Sequence, residues 1–206
     1  MYKQVIASLQ QSYNATQAIE RDKGEKAAWK VAERQHFLAL LQQEGKTTLL
    51  EVGAGTGTDS KFLQDHGLQV IATDLSPEMV KLCQQKGLTA YVMDFLGLDF
   101  PDNSFDAIYS LNCLLHVPTH DLPQVLQKLQ GLLKPTGLFY LGVLGGEEHE
   151  GPWLEDLHEP KRFFSFHTDE YMQHITGQFF ELVSFKSIQP AEETRFHFQA
   201  MILRKR

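Results

Sequence analysis

The sequence predicts an α/β fold: a doubly wound, mostly parallel seven-stranded sheet with an antiparallel last strand, preceded by an N-terminal helical cap. Three observations predict it. Between residues 47 and 143, apolar runs of strand length alternate with helical patterns, and right-handed crossovers between such strands build a parallel sheet covered on both faces. The first run, 47–52, is apolar almost throughout, as expected of a strand buried on both sides. The last two runs, 180–185 and 195–203, have no helix of usable length between them, so they should pair antiparallel.

The elements follow in chain order. Residues 1–45 read as an amphipathic cap, with Trp29, Val31, Phe37, Leu38 and Leu41 near helical spacing after a break at Asp22, Lys23 and Gly24. Strands are expected at 47–52, 69–73, 90–93, 105–110 and 137–143. Ser76, Pro77 and Glu78 supply an N-cap, a first-turn proline and an early acid for the helix after the second strand. A further helix at 122–133 should stop before Pro135, and another should cover 168–176. Residues 145–160 read as a loop. With no repeat or low-complexity tract, residues 1–206 are expected to form one domain, with 145–171 as a lid over the acceptor side.

Composition narrows the function. A formal net charge of -7 argues against a surface built to hold phosphate backbones, and basic residues cluster only in short groups such as Lys161-Arg162. No apolar run approaches the roughly 18 residues that a membrane span needs, and the first residues do not read as a signal peptide. Two cysteines, Cys83 and Cys113, are too few for a disulfide framework. A cytoplasmic protein with reduced thiols, acting neither on membranes nor on nucleic acid, is the expectation.

The segment that carries chemistry is Glu51-Val52-Gly53-Ala54-Gly55-Thr56-Gly57, directly after the first strand. Glycines at alternate positions let the backbone turn tightly and approach a ligand where a Cβ would intrude. The spacing departs from the G-x-G-x-x-G of dinucleotide folds, and no Gly-Lys-Ser/Thr follows as in a phosphate loop. Acids recur at the ends of the first three strands: Glu51, Asp74 and Asp94. Together they would line one edge of the sheet and suit a ligand carrying hydroxyls, amines and a positive centre.

These residues, with Asp74-Leu75-Ser76-Pro77-Glu78-Met79, Met93-Asp94-Phe95, Phe105-Asp106-Ala107-Ile108 and Leu132-Leu133-Lys134-Pro135-Thr136-Gly137, resemble class I S-adenosylmethionine-dependent methyltransferases of the type 11 group. The resemblance runs from about Trp29 to the C-terminus. It implies a Rossmann-like domain that uses S-adenosylmethionine. Gly53, Ala54, Gly55 and Gly57 would hold the methionine part, supported by Glu51, and Asp74 would take the ribose hydroxyls. Leu75, Met93, Asp94 and Phe95 would surround the adenine, and residues 110–112, Leu111 among them, would face the amine and sulfonium. Ala54 stands where the family often has cysteine. Thr136 replaces a usual glycine, which puts the turn into the fifth strand in doubt.

Methyl transfer from a sulfonium needs alignment and exclusion of water, and a general base only when the acceptor must lose a proton. His116, just past the fourth strand, is the candidate base, its alternative a structural hydrogen bond in that connection. Trp153, Arg162, Phe163, Phe164, Phe166, Tyr171, His149 and His167 are candidates for a small-molecule acceptor site. Tyr13 and Trp29 could close over the cofactor or simply pack. Glu147, Glu148 and His149 lack an established metal spacing, so no metal is expected. A methyltransferase acting on protein or nucleic acid, an NAD-dependent oxidoreductase and a non-enzymatic binding module stay open as alternatives.

Overall fold

The structure, a computed structural model, describes residues 2–13, 26–189 and 196–206. The order of elements is α1 (Tyr2–Ser12), α2 (Ala28–Gln43), β1 (Thr48–Val52), α3 (Thr58–Asp65), β2 (Gln69–Asp74), α4 (Pro77–Gln85), β3 (Thr89–Val92) and β4 (Phe105–Leu111). It continues with α5 (Leu122–Leu132), β5 (Leu133–Gly145), β6 (His149–Pro152), β7 (Phe163–Phe166), α6 (Asp169–Gly177), β8 (Phe180–Ile188) and β9 (His197–Lys205). The cap break at 22–24 and Arg195 lie outside the described residues.

Seven strands form one sheet in the order β3-β2-β1-β4-β5-β9-β8. β3, β2, β1, β4 and β5 run parallel, and β9 pairs antiparallel with both β5 and β8. The apolar first run follows from this placement. Because successive side chains of a strand point to opposite faces, Leu49 packs with Phe37, Leu41, Tyr109 and Tyr140, while Leu50 packs with Val125, Leu126, Ile108 and Phe139. Each layer buries its own cluster, α2 on one face and α5 on the other. The chain builds outward from β1 to β3 and then returns to β4 on the other side of β1. Such a reversal leaves a crevice at the carboxyl ends of the central strands.

The caps form as the residue types require. Ser76 Oγ accepts from the Met79 N–H at 3.4 Å, with Pro77 in the first turn of α4. Thr168 Oγ1 accepts from the Tyr171 N–H at 3.2 Å and opens α6.

Several elements differ from expectation, β8 among them, which runs to Ile188 and not 185. β5 follows α5 directly and starts at Leu133 rather than at 137, since Leu133 already pairs with Phe105. The extra residues are absorbed in an irregularity before the Ala107–Leu138 pair, where Thr136 takes a φ of 60°. Lys46 Nζ and Arg204 Nη1 donate to its carbonyl at 3.2 and 3.3 Å, tying down a left-handed residue that glycine would adopt without strain. The expected loop at 145–160 instead leads into a hairpin, for β6 pairs with β7. β9 extends two residues beyond the expected run and ends at Lys205. Among the described residues no helix is long and apolar enough to cross a membrane.

Candidate active site

A cavity of about 710 Å³ opens at the carboxyl edge of β1, β2, β3 and β4. Glu51, Gly53, Ala54, Gly55, Asp74, Leu75, Met93, Asp94, Phe95, Leu111 and His116 all line it. Gly57 does not. It precedes α3, and a Cβ there would meet Leu88 Cδ1 at 2.7 Å and Cys83 Sγ at 2.8 Å, so its requirement comes from packing beneath the loop.

The other two glycines of the loop differ in what they face. A Cβ on Gly53 would lie 2.3 Å from Cys113 Cβ, because the loop after β1 presses against the chain leaving β4. A Cβ on Gly55 would meet nothing within 4 Å among the described residues, and Gly55 lines the cavity. The Gly55 N–H donates to Asp74 Oδ2 at 2.8 Å, and the Ser76 N–H donates to Asp74 Oδ1 at 2.9 Å. Asp74 therefore anchors the glycine loop to the turn after β2. A carboxylate oxygen accepts more than one hydrogen bond, so this anchoring is compatible with ligand hydroxyls. Asp94 Oδ1 caps its own turn, accepting from the N–H groups of Leu96 and Gly97, each at 2.9 Å.

Across the cavity, Asn112 has a φ of 53°, and its Oδ1 is buried with no hydrogen-bond partner among the described residues. A buried acceptor left unpaired costs on the order of 1–3 kcal/mol, which an ammonium donor in the cavity would recover. Ser110, by contrast, is buried behind the wall and pairs with Cys113 Sγ at 3.0 Å.

Glu51 lies at the floor, 2% exposed, with Ser60 Oγ donating to its Oε2. Burial, and then the nearby charge of Asp59, push its carboxyl up to about 8. Asp59 in turn is held by Lys26 and by Arg34 Nη1, the latter at 2.9 Å. Lys26, Arg34 and Asp59 were missed in the sequence because partners 25 and 33 positions apart carry no local signal. A pH dependence follows. The folded chain keeps the Glu51 proton up to about pH 8, whereas the unfolded chain loses it near the ordinary value of 4.5. The folded state thus binds the extra proton in that window, and stability declines as pH rises through it. Glu51→Gln, which cannot ionise, should be more stable than wild type at pH 9 by about 1–2 kcal/mol and nearly equal to it at pH 4.5. Urea denaturation at the two pH values checks this; a constant difference between the chains would contradict it.

The acceptor side holds a connected polar chain. Arg162 forks onto Asp156, with Nε to Oδ2 at 2.8 Å and Nη2 to Oδ1 at 2.7 Å, and its Nη1 donates to the Tyr13 hydroxyl at 3.0 Å. Although burial works the other way, the Arg162 fork holds the Asp156 carboxyl well below the usual range. Tyr13 Oη lies 2.9 Å from His116 Nε2, and His116 Nδ1 lies 2.7 Å from the Phe163 carbonyl. A carbonyl only accepts, so Nδ1 carries a proton in this contact.

Of the expected acceptor-side residues, only Arg162 and Phe164 line the cavity, beside Tyr13, Leu115 and Leu144. Trp153 instead packs among His149, Phe166 and Phe196, with ring centres at 4.9, 5.5 and 5.5 Å. Phe166 shares a face of β7 with Phe164, their ring centres 5.2 Å apart, but lies two residues farther along the strand, and this aromatic group does not line the cavity. His167 stacks on Tyr171 at 4.4 Å, and burial lowers its pKa. Phe163 contributes its carbonyl to His116. Trp29 packs on Phe198 at 4.5 Å and not on the cavity. Burial raises both thiols, Cys83 and Cys113, to about 12, so neither serves as a nucleophile.

Residues 50–141 match the family described as "Methyltransferase domain". Phosphoethanolamine N-methyltransferase of Plasmodium falciparum is 22% identical over 161 residues, covering 74% of this chain and 60% of that protein. Ubiquinone biosynthesis O-methyltransferase of Xanthomonas oryzae is 36% identical over 103 residues, covering 47% and 42%. The chain thus spans less than two thirds of these curated relatives. A solved 1,6-didemethyltoxoflavin-N1-methyltransferase of Burkholderia thailandensis, with 1,6-didemethyltoxoflavin and S-adenosylhomocysteine bound, superposes with a TM-score of 0.76 at 21% identity, over 100% of this chain and 90% of its own. At that identity the likeness speaks to the fold.

Proposed function

We propose that this chain, a class I S-adenosylmethionine-dependent methyltransferase by its fold and by the methyltransferase domain at residues 50–141, transfers a methyl group to a small-molecule acceptor. The observation that carries the reading is the open backbone of Gly55 beside Asp74, facing a cavity into which Asn112 brings an unpaired buried oxygen. These groups fit S-adenosylmethionine, which supplies an activated methyl group on a sulfonium. Gly53, Ala54 and Gly55 would admit its methionine part, Asn112 would accept from its ammonium, and Asp74 would accept from its ribose hydroxyls. Leu75, Met93, Asp94 and Phe95 would bound the adenine.

The acceptor belongs at the end lined by Tyr13, Leu115, His116, Leu144, Arg162 and Phe164. Helix α1 roofs that end, where Ser12 Oγ donates to the Pro160 carbonyl at 2.6 Å, and reaches towards the adenine end, where Gln10 Nε2 donates to the Leu75 carbonyl at 3.4 Å. A roof of this kind supports a small acceptor and excludes water, which the displacement requires. Two of the similar proteins, a ubiquinone biosynthesis O-methyltransferase and a 1,6-didemethyltoxoflavin-N1-methyltransferase, are named for small molecules, which supports this reading. The segment 145–171 contributes to acceptor binding through Arg162 and Phe164 in this reading. A cytoplasmic location goes with it, since two buried, unpaired thiols suit a reducing compartment.

Two experiments test the reading. Incubating the chain with S-adenosylmethionine and a panel of small hydroxyl and amine compounds should release S-adenosylhomocysteine with one class of them. Release only with protein or nucleic-acid substrates would overturn the small-molecule assignment. In calorimetry, Asp74→Ala should weaken S-adenosylhomocysteine binding by about 1–3 kcal/mol through lost charge-assisted hydrogen bonds. Unchanged affinity in a folded Asp74→Ala chain would remove Asp74 from the site.

A further inference from the structure

We propose that Tyr2 reads the adenine of the cofactor: its hydroxyl donates to adenine N1 while Asp94 accepts from the adjacent amino group. This rests on the methyltransferase reading and adds to it a specificity-determining residue at the adenine end of the cavity.

The placement starts from sequence spacing. Tyr2, Ile6, Leu9 and Tyr13 recur at helical intervals, which puts them on one face of a helix, and all four line the cavity. The Tyr13 N–H donates to the Leu9 carbonyl at 3.0 Å, so the last of them continues the turn of α1. Tyr2, Val5 and Leu9 are buried, which seats the helix on the domain. At one end of this face Tyr13 meets Arg162. At the other, the Phe95 N–H donates to Tyr2 Oη at 3.3 Å. Helix α1 therefore runs along the cavity from the acceptor end to the adenine end, and Tyr2 arrives at the turn after β3.

A phenol oxygen that accepts from an amide still has its own proton to give. Among the described residues no acceptor takes the Tyr2 proton; the hydroxyl's one partner there is the Phe95 N–H. Burial, and then the charge of Asp94, hold the Tyr2 pKa above the usual phenol value, so the hydroxyl keeps that proton and works as a donor. Asp94, the residue before Phe95, lines the same space. Its Oδ1 accepts from the Leu96 and Gly97 N–H groups, while its Oδ2 accepts from none of the described residues. A hydroxyl donor and a carboxylate acceptor thus meet at one turn. Adenine presents the complementary pair on neighbouring atoms of its six-membered ring, for N1 accepts and the amino group donates. The Phe95 N–H is spent on Tyr2, so it orients the hydroxyl and does not itself meet the base. Hypoxanthine would set its carbonyl oxygen against the Asp94 carboxylate, two acceptors face to face, so the pair selects adenine.

The test is calorimetry of the full chain with S-adenosylhomocysteine and with its 1-deaza analogue, in which a C–H replaces adenine N1. In wild type the analogue should bind about tenfold more weakly, because the Tyr2 hydroxyl then faces a C–H. Tyr2→Phe should bind S-adenosylhomocysteine about tenfold more weakly than wild type, and the two ligands should then agree within about twofold. A packing role alone would lower both affinities and leave their ratio unchanged. A ratio that stays near tenfold in Tyr2→Phe would assign N1 to the Phe95 N–H and overturn the proposal, as would equal binding of the two ligands by wild type. If Tyr2→Phe does not fold, the Phe95 amide resonance of the wild-type chain decides. It should take nearly the same position with either ligand bound, since it donates to Tyr2 in both; a clear displacement between them would overturn the proposal. Failure of S-adenosylhomocysteine itself to bind wild type would contradict the methyltransferase reading instead, so the two failures are distinguishable.

Discussion

Gly55→Val is expected to abolish measurable binding of S-adenosylhomocysteine, by at least about 100-fold, while the chain stays folded. The reason is where the new side chain goes. A Cβ at Gly55 meets no atom of the described residues within 4 Å, and Gly55 lines the cavity, so the valine side chain is expected to take up space that the ligand needs. The φ of 56° adds a conformational penalty of about 1–3 kcal/mol for a β-branched residue, which the domain should tolerate. Far-ultraviolet circular dichroism and calorimetry on the same sample check the two halves of the expectation. Normal binding in a folded Gly55→Val chain would mean that the open backbone at Gly55 is not where the cofactor lies.

Gly53→Ala, two residues away, should fail in the opposite manner. Its Cβ would sit 2.3 Å from Cys113 Cβ and 2.7 Å from Cys113 Sγ, distances that require the backbone to move. The end of β1 and the chain after β4 would have to separate, and both belong to a close-packed centre. We expect a loss of about 3 kcal/mol in urea denaturation. Combining Gly53→Ala with Cys113→Gly, which removes the opposing atoms, should give a smaller loss than the sum of the two single changes. A loss below about 1 kcal/mol for Gly53→Ala alone would show that the loop accommodates a side chain there.

That contrast marks what was legible in the sequence. The strand-and-helix alternation, the order of elements and the antiparallel ending could be read because each rests on local periodicity, as at Leu49 and Leu50. The alternate glycines could be seen as a motif, but their separate duties could not. Gly53 is set by Cys113, Gly57 by Cys83 and Leu88, and only Gly55 by open space. The sequence likewise offered Tyr13, His116 and Arg162 one at a time. Tyr13 and Arg162 are 149 positions apart, and no local pattern joins them. Asp156, which orients Arg162, was not singled out at all. The β6–β7 hairpin was hidden because Gly151 and Pro152 punctuate it like a loop. That error carried Trp153 and Phe166 toward the cavity, when in the structure they pack against Phe196.

The central claim is that the cavity above β1 binds S-adenosylmethionine, and one measurement addresses it directly. Calorimetric titration of the full chain with S-adenosylhomocysteine, and in parallel with NAD, should show saturable one-to-one binding of the first and none of the second. Binding of NAD in place of S-adenosylhomocysteine, or of neither, would contradict the account.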